Sequence, residues 1–193
     1  MRRLALLVVV PLLAGCGGGQ RQDADEPEGE FNVEVVDAAF PRRQHIAEPV
    51  ELRMRVRNAD DQTLDNVAVT VETRPRRGTA PAAFGQRSLN PRLADSERPV
   101  WVLAEGPLGG DVASTNTWSA GRLGPGESRE LVWKLVASRA GRFTLGYRVS
   151  PGLTGKARAA QGGRATGAFT VTIADAPVPA RVGPGGEVVR VGD

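Results

Sequence analysis

The sequence predicts an all-β fold, an antiparallel β-sandwich of about seven strands. Three observations predict it. Apolar and polar residues alternate with period two through a series of short stretches. Glycine- and proline-rich turns separate those stretches. Past the apolar N-terminus no long window carries a helical period, and short strands with such turns point to sheet packed on sheet.

Each element follows from its own residues. Phe31, Val33 and Val35 alternate with Asn32 and Glu34, so order is expected to begin at Phe31. Pro41 and Pro49 punctuate the next stretch. Val50, Leu52, Met54 and Val56 then point one way, and Glu51, Arg53, Arg55 and Arg57 the other, as in a half-buried antiparallel strand. Asn58, Ala59, Asp60 and Asp61 supply turn chemistry. Val67, Val69 and Val71 form the next apolar face, and the two strands are expected to pair as a hairpin with a broad loop. Leu123-Gly124-Pro125-Gly126-Glu127 is a turn by composition. Leu131, Trp133, Leu135 and Ala137 face inward after it. Ala140-Gly141 turns the chain, and Phe143, Leu145, Tyr147 and Val149 face inward again, with Arg142, Thr144 and Arg148 outward. Phe169, Val171 and Ile173 make a final strand. Residues 175–193 form a Pro/Gly-rich tail or a small hairpin across Pro184-Gly185-Gly186.

"RNADDQTLDNVAVTV" followed by "WSAGRLGPGESRELVWKLVASRAGRFTLGYRVS" resembles the bacterial immunoglobulin-like modules typified by the CARDB and DUF11 families. Asn58, Asn66, Trp118, Gly121, Leu123, Pro125, Gly126, Glu127, Ala140 and Gly141 carry the resemblance. It implies an immunoglobulin-like sandwich over residues 31–174. These motifs are structural and name no ligand. The modules have a short connection where this chain has residues 74–117. That insertion is rich in Arg and Pro yet carries Phe84, Val100, Trp101, Val102 and Leu103. Loops of this length are commonly functional or disordered. It is expected to pack over one end of the sandwich, with a strand at Val100–Leu103 as an option. Arg74, Arg76, Arg77 and Trp101 are the partner-binding candidates, since Arg and Trp dominate interfaces. The plainer reading of the arginines is a solvated surface. Of the 25 basic residues only Lys134 and Lys156 are lysines, an arginine bias that runs through the whole chain.

The N-terminus gives the address. Arg2 and Arg3 precede an apolar run from Leu4 to Leu13, which has signal-peptide length and falls short of the roughly 20 residues that span a bilayer. The run ends in Leu13-Ala14-Gly15-Cys16, which resembles the lipobox of bacterial lipoproteins. The resemblance implies cleavage between Gly15 and Cys16 and a lipid, with a fatty acyl group such as palmitate, on Cys16. The plainer alternative, a stray thiol or an intermolecular disulfide, does not account for the charged, apolar, small-residue order. Residues 1–15 are thus read as a signal peptide and residues 16–30 as a flexible acidic tether, poor in apolar residues. Losing Arg2 and Arg3 lowers the formal charge of +3 by two, so no nucleic-acid partner is expected despite the pI of 9.7.

An enzyme needs a constellation, and none is found. The single histidine, His45, has no nucleophile motif beside it and lacks the further His or Cys ligands of a zinc site; with Met54 alone it falls short of a copper site. Asp60, Asp61, Asp65 and Asn66 lack the spacing of a calcium loop. "PGLTGKAR" misses a phosphate loop, with Ser150 in place of the first glycine and Ala157 in place of Ser/Thr. No cofactor and no metal is expected. The sequence therefore predicts a lipid-anchored, extracytoplasmic membrane protein. Its domain is a non-catalytic binding or adhesion module for an envelope protein or polymer. An accessory ligand-binding lipoprotein serving a transporter or envelope enzyme is the alternative.

Overall fold

The computed structural model describes residues 26–74, 82–86, 99–185 and 187–190. In chain order the strands begin with β1 (Gly29–Phe31), β2 (Val33–Ala39), β3 (Arg43–His45), β4 (Pro49–Asn58) and β5 (Ala68–Arg74). Next come β6 (Phe84–Gln86), β7 (Trp101–Leu108), β8 (Asp111–Ser114), β9 (Thr117–Ser119) and β10 (Ser128–Ala137). The last are β11 (Gly141–Ser150), β12 (Ala157–Ala159), β13 (Thr166–Ala174), β14 (Ala180–Val182) and β15 (Val188–Arg190).

Two sheets carry the fold, in the orders β2-β4-β10-β7-β6 and β3-β13-β11-β5-β9-β8. The first matches the A-B-E-D sheet of an immunoglobulin domain, and β13-β11-β5 in the second matches G-F-C. The protein is an immunoglobulin-like β-sandwich. Its seven long strands are β2, β4, β5, β7, β10, β11 and β13; every other strand has four residues or fewer.

The alternation read from the sequence holds. In β4, Val50, Leu52, Met54 and Val56 are buried while Arg53, Arg55 and Arg57 are exposed. In β10, Leu131, Trp133, Leu135 and Ala137 are buried. One core joins both sheets, with Trp118 and Trp133 in edge-to-face contact at 5.5 Å. Neither indole N–H finds an acceptor among the described residues.

Three expectations need correction. First, β4 and β5 do not pair. β4 lies between β2 and β10, while β5 lies between β11 and β9 in the opposite sheet. Alternation shows which residues face the core but is silent about which strand lies alongside. Second, the described part of 74–117 is not an accessory loop. It supplies β6, β7, β8 and the first residue of β9; the strand offered at Val100–Leu103 is real and extends to Leu108 as β7, which lies beside β10 as one of the seven long strands. Third, order begins before Phe31: β1 pairs in parallel with β12, and the Glu26 side chain is buried at 8% exposure. The C-terminal segment takes the hairpin form, β14 against β15.

The motif residues behind the family resemblance hold the loop ends. Asn58 is fully buried, and its Nδ2 donates to the carbonyls of Gln62 (2.7 Å), Leu123 (2.9 Å) and Gly124 (3.2 Å). Its Oδ1 accepts from the Asp60 N–H at 3.0 Å. Glu127 accepts from the Gly124 N–H at 2.8 Å and closes the turn, in which Gly126 sits at φ 74°, a conformation that favours glycine.

Candidate functional site

The residues singled out from the sequence do not converge. Gly15, Cys16, Arg76 and Arg77 lie outside the described residues. Arg74 ends β5, opposite Thr144 of β11. Trp101 is fully buried. Its indole Nε1–H donates to Gln44 Oε1 at 2.7 Å, and Gln44 Nε2 donates to the Pro41 carbonyl at 2.9 Å. Phe40, Phe84 and Phe143 meet the ring edge-on. Trp101 is thus a core residue and presents no surface to a partner. The tryptophan offered as a partner contact fills the space between the sheets, because β7 begins with it.

The other candidates are local structure. His45 ends β3 and its Nδ1 lies 2.9 Å from the Ala176 carbonyl, bridging to the start of the C-terminal segment. Asp60 accepts the Asn32 N–H at 2.8 Å, and this bond holds its carboxyl below the usual range. Asp65 pairs with Arg122 at 3.3 Å. These acids face different partners and form no shared cage. No group of three or more metal-ligating side chains occurs among the described residues.

A different place gathers polar groups. A groove of about 930 Å³ runs between the ends of β5, β8, β9, β11 and β12 and the loop 150–155. Thr70, Ser114, Thr117, Ser150, Thr154 and Thr166 line it, with Arg148 and Arg158 among small apolar residues. Thr70 and Thr117 share a hydrogen bond at 3.0 Å. Among the described residues no Asp or Glu lines the groove. Neither arginine makes an ion pair among the described residues, whereas Arg55, Arg57, Arg122 and Arg129 all do. Register explains the clustering. Arg148 stands between Thr166 of β13 and Thr70 of β5 on the outward face of its sheet, so the side chains that border it are short and polar.

The stretch that resembled a failed phosphate loop does hold an anion. The backbone N–H groups of Leu153 and Thr154 and the Thr154 hydroxyl all donate to the Glu26 carboxylate, those from Thr154 at 2.9 and 2.7 Å. A Cβ on Gly152 would lie 2.7 Å from Glu26 Oε2, so the carboxylate occupies the space a side chain would take. Gly152, Leu153 and Thr154 also line the groove. Sequence reasoning missed Glu26, Arg148 and Arg158. Glu26 lay in an acidic run that reads as solvation, and the two arginines read as outward positions of ordinary strands. The available signal was "PGLTGKAR", a loop with free backbone donors.

No protein-family model matches the chain, and no curated protein matches it. Solved structures of similar shape exist. The chain is similar to the CARDB domain of the PF1109 protein from Pyrococcus furiosus, solved in complex with di-metal ions, at 14% identity and a TM-score of 0.46, covering 77% of this chain and 99% of that one. It is also similar to part of native alpha-2-macroglobulin from Escherichia coli, at 15% identity and a TM-score of 0.45, over 80% of this chain and 18% of that one. A third is the ASH / PapD-like domain 7 of human CEP192, at 9% identity and a TM-score of 0.39, over 92% of this chain and all of that one.

Proposed function

We propose that this chain is a non-catalytic binding module, held on the extracytoplasmic face of the cell membrane by lipid on Cys16. Its ligand in this reading is an anionic, hydroxyl-rich polymer of the envelope. One observation carries the reading: Arg148 and Arg158 line a groove with serines and threonines and, among the described residues, no Asp or Glu. Guanidinium groups bind carboxylate and phosphate oxygens through paired donors. Hydroxyls donate and accept, which suits a polyol. Among the described residues the groove offers no nucleophile and base in partnership, and the acid beside it, Glu26, is already held by three donors. A groove lined from several strands also suits a chain that passes through it better than a small solute enclosed on all sides.

The test is titration calorimetry of the protein with a glycerol-phosphate oligomer and an oligogalacturonate, with uncharged dextran as control. The charged oligomers are expected to bind and dextran not to bind, with affinity falling as salt rises. The double variant R148A/R158A should lose binding by tenfold or more, about 1.4 kcal/mol. Arg74, Arg76 and Arg77 are a second candidate contact for the same polymer, read by a triple alanine variant in the same assay. Binding by dextran equal to that of the charged oligomers, or full binding by R148A/R158A, overturns the reading.

A further inference from the structure

We propose that the backbone cradle at Gly152–Thr154 is an anion-binding site, closed in cis by Glu26, and that an acidic group of the groove's ligand exchanges with Glu26 there. This rests on the reading of the groove given above, and the experiment separates the two.

The donors are indifferent to which carboxylate they hold. Two backbone N–H groups and one hydroxyl accept any carboxylate or phosphate oxygen of the right reach. Glu26 is 8% exposed, and among the described residues its carboxylate meets the neutral donors of the cradle and no cation. Such compensation by oriented neutral donors defines an anion site, and the occupant belongs to the chain only through covalent attachment. The absent side chain at Gly152 makes the room, since a Cβ there would stand 2.7 Å from the carboxylate oxygen.

The cradle is continuous with the groove, because Gly152, Leu153 and Thr154 line both. Arg158, on β12, lies opposite Glu30 of β1 in the register. An acidic group that enters past Arg158 therefore reaches the cradle along the path the N-terminal segment now follows. That segment is held lightly. β1 has three residues and pairs with β12 alone, while Phe31 at its end stays anchored in the core at 5% exposure. Exchange requires residues 26–30 to swing away and leaves the sandwich intact. Ligand binding and docking of the segment nearest the lipid anchor then exclude one another.

Two measurements test this on the full chain. In the first, acetate and inorganic phosphate are titrated into wild type, E26Q and E26A while the amide resonances of Leu153 and Thr154 are followed. Saturable shifts at those two amides in the variants, and none in wild type, are expected. E26Q preserves side-chain shape, so it reads the cradle even if E26A loosens the loop. Absence of saturable shifts in both variants overturns the proposal, as do equal shifts in wild type. In the second, the calorimetric titrations are repeated with E26Q and G152A. E26Q should bind a charged oligomer roughly tenfold tighter than wild type, because its neutral amide competes less well for the charge-assisted bonds. The oligomer that gains identifies phosphate or carboxylate as the source. G152A should show no gain, because its methyl group expels Glu26 and blocks the ligand alike. Loss of binding in R148A/R158A with no gain in E26Q leaves the groove standing and overturns the exchange. Saturable shifts at the cradle with no oligomer binding in any variant retain the anion site and overturn its coupling to the groove.

Discussion

Trp101→Ala should be among the most damaging single substitutions in the chain. The residue is fully buried and its nearest aromatic neighbours are Phe40 at 5.3 Å, Phe143 at 6.2 Å and Phe84 at 6.3 Å. Truncating a buried large aromatic costs about 3–5 kcal/mol. The change also strips Gln44 Oε1 of the indole N–H, at a position 1% exposed, and an orphaned buried acceptor costs about 1–3 kcal/mol more. The sum lies near 5 kcal/mol or above, against a total stability of roughly 5–15 kcal/mol for a domain. Urea unfolding followed by far-UV circular dichroism measures it. Trp101→Phe separates the two contributions, because it keeps an aromatic ring and removes the N–H donor. Adding Gln44→Met to Trp101→Phe should recover part of the loss, since removing both partners of a buried hydrogen bond costs less than removing one. A Trp101→Ala variant within about 1 kcal/mol of the parent, the ordinary cost of a surface change, would refute the placement of β7 in the core.

Four further outcomes are expected. Replacing residues 75–116 by a Gly/Ser linker removes β6, β7 and β8 and should abolish the cooperative thermal transition; a retained sharp transition contradicts the sheet order. Asn58→Ala should cost about 1–3 kcal/mol by chemical denaturation, because the Gln62 carbonyl loses the Asn58 amide while the Leu123 and Gly124 carbonyls keep the N–H groups of Leu64 and Glu127; a neutral effect means the Gln62 carbonyl is satisfied without Asn58. Tyr147, the single tyrosine, is raised above its ordinary value by burial, so the stability it contributes is full below about pH 10 and lost as pH climbs through the raised folded value. Ultraviolet titration of the phenol reads this directly, and ionisation at the value of an exposed tyrosine refutes the burial. Cys16→Ser should release the protein from the membrane fraction or leave it as uncleaved precursor, and a free Cys16 thiol on a water-soluble mature protein contradicts the anchor.

The sheet faces were legible in the sequence because a strand has a period of two and one face of each sheet is wet. Val50 to Arg57 and Leu131 to Ala137 show it most plainly. β7 was harder. Its burial does not alternate, and the register against β10 shifts twice between Val132 and Leu135. The regular part, Trp101–Leu103, falls within the strand offered as an option at Val100–Leu103; beyond it the bulges add unpaired residues and break the period, so the continuation to Leu108 was not legible. Strand partnership was not legible, since alternation carries no information about the neighbour. The groove was hidden for a related reason. Thr70, Thr117, Arg148 and Arg158 come from β5, β9, β11 and β12, spread over nearly ninety residues, and each taken alone is an ordinary outward position. Glu26 was hidden by its company, five acids between residues 23 and 30; of those described, Glu26 is the one the fold buries.

Asn58 recognises three carbonyl oxygens of the main chain, at Gln62, Leu123 and Gly124, and no side chain among them. What it enforces is therefore spacing, not identity. The segments 59–65 and 122–126 are free to exchange most of their side chains without disturbing it, subject to Leu64 and Leu123 staying in the core. A single inserted or deleted residue in either segment moves a carbonyl by about 3.3–3.8 Å along the chain, beyond the reach of the same amide. The expected tolerance of this end of the domain is lopsided, generous to substitution and severe to a change of length. A library of loop variants, scored for folding by protease resistance, would display that asymmetry in a single experiment.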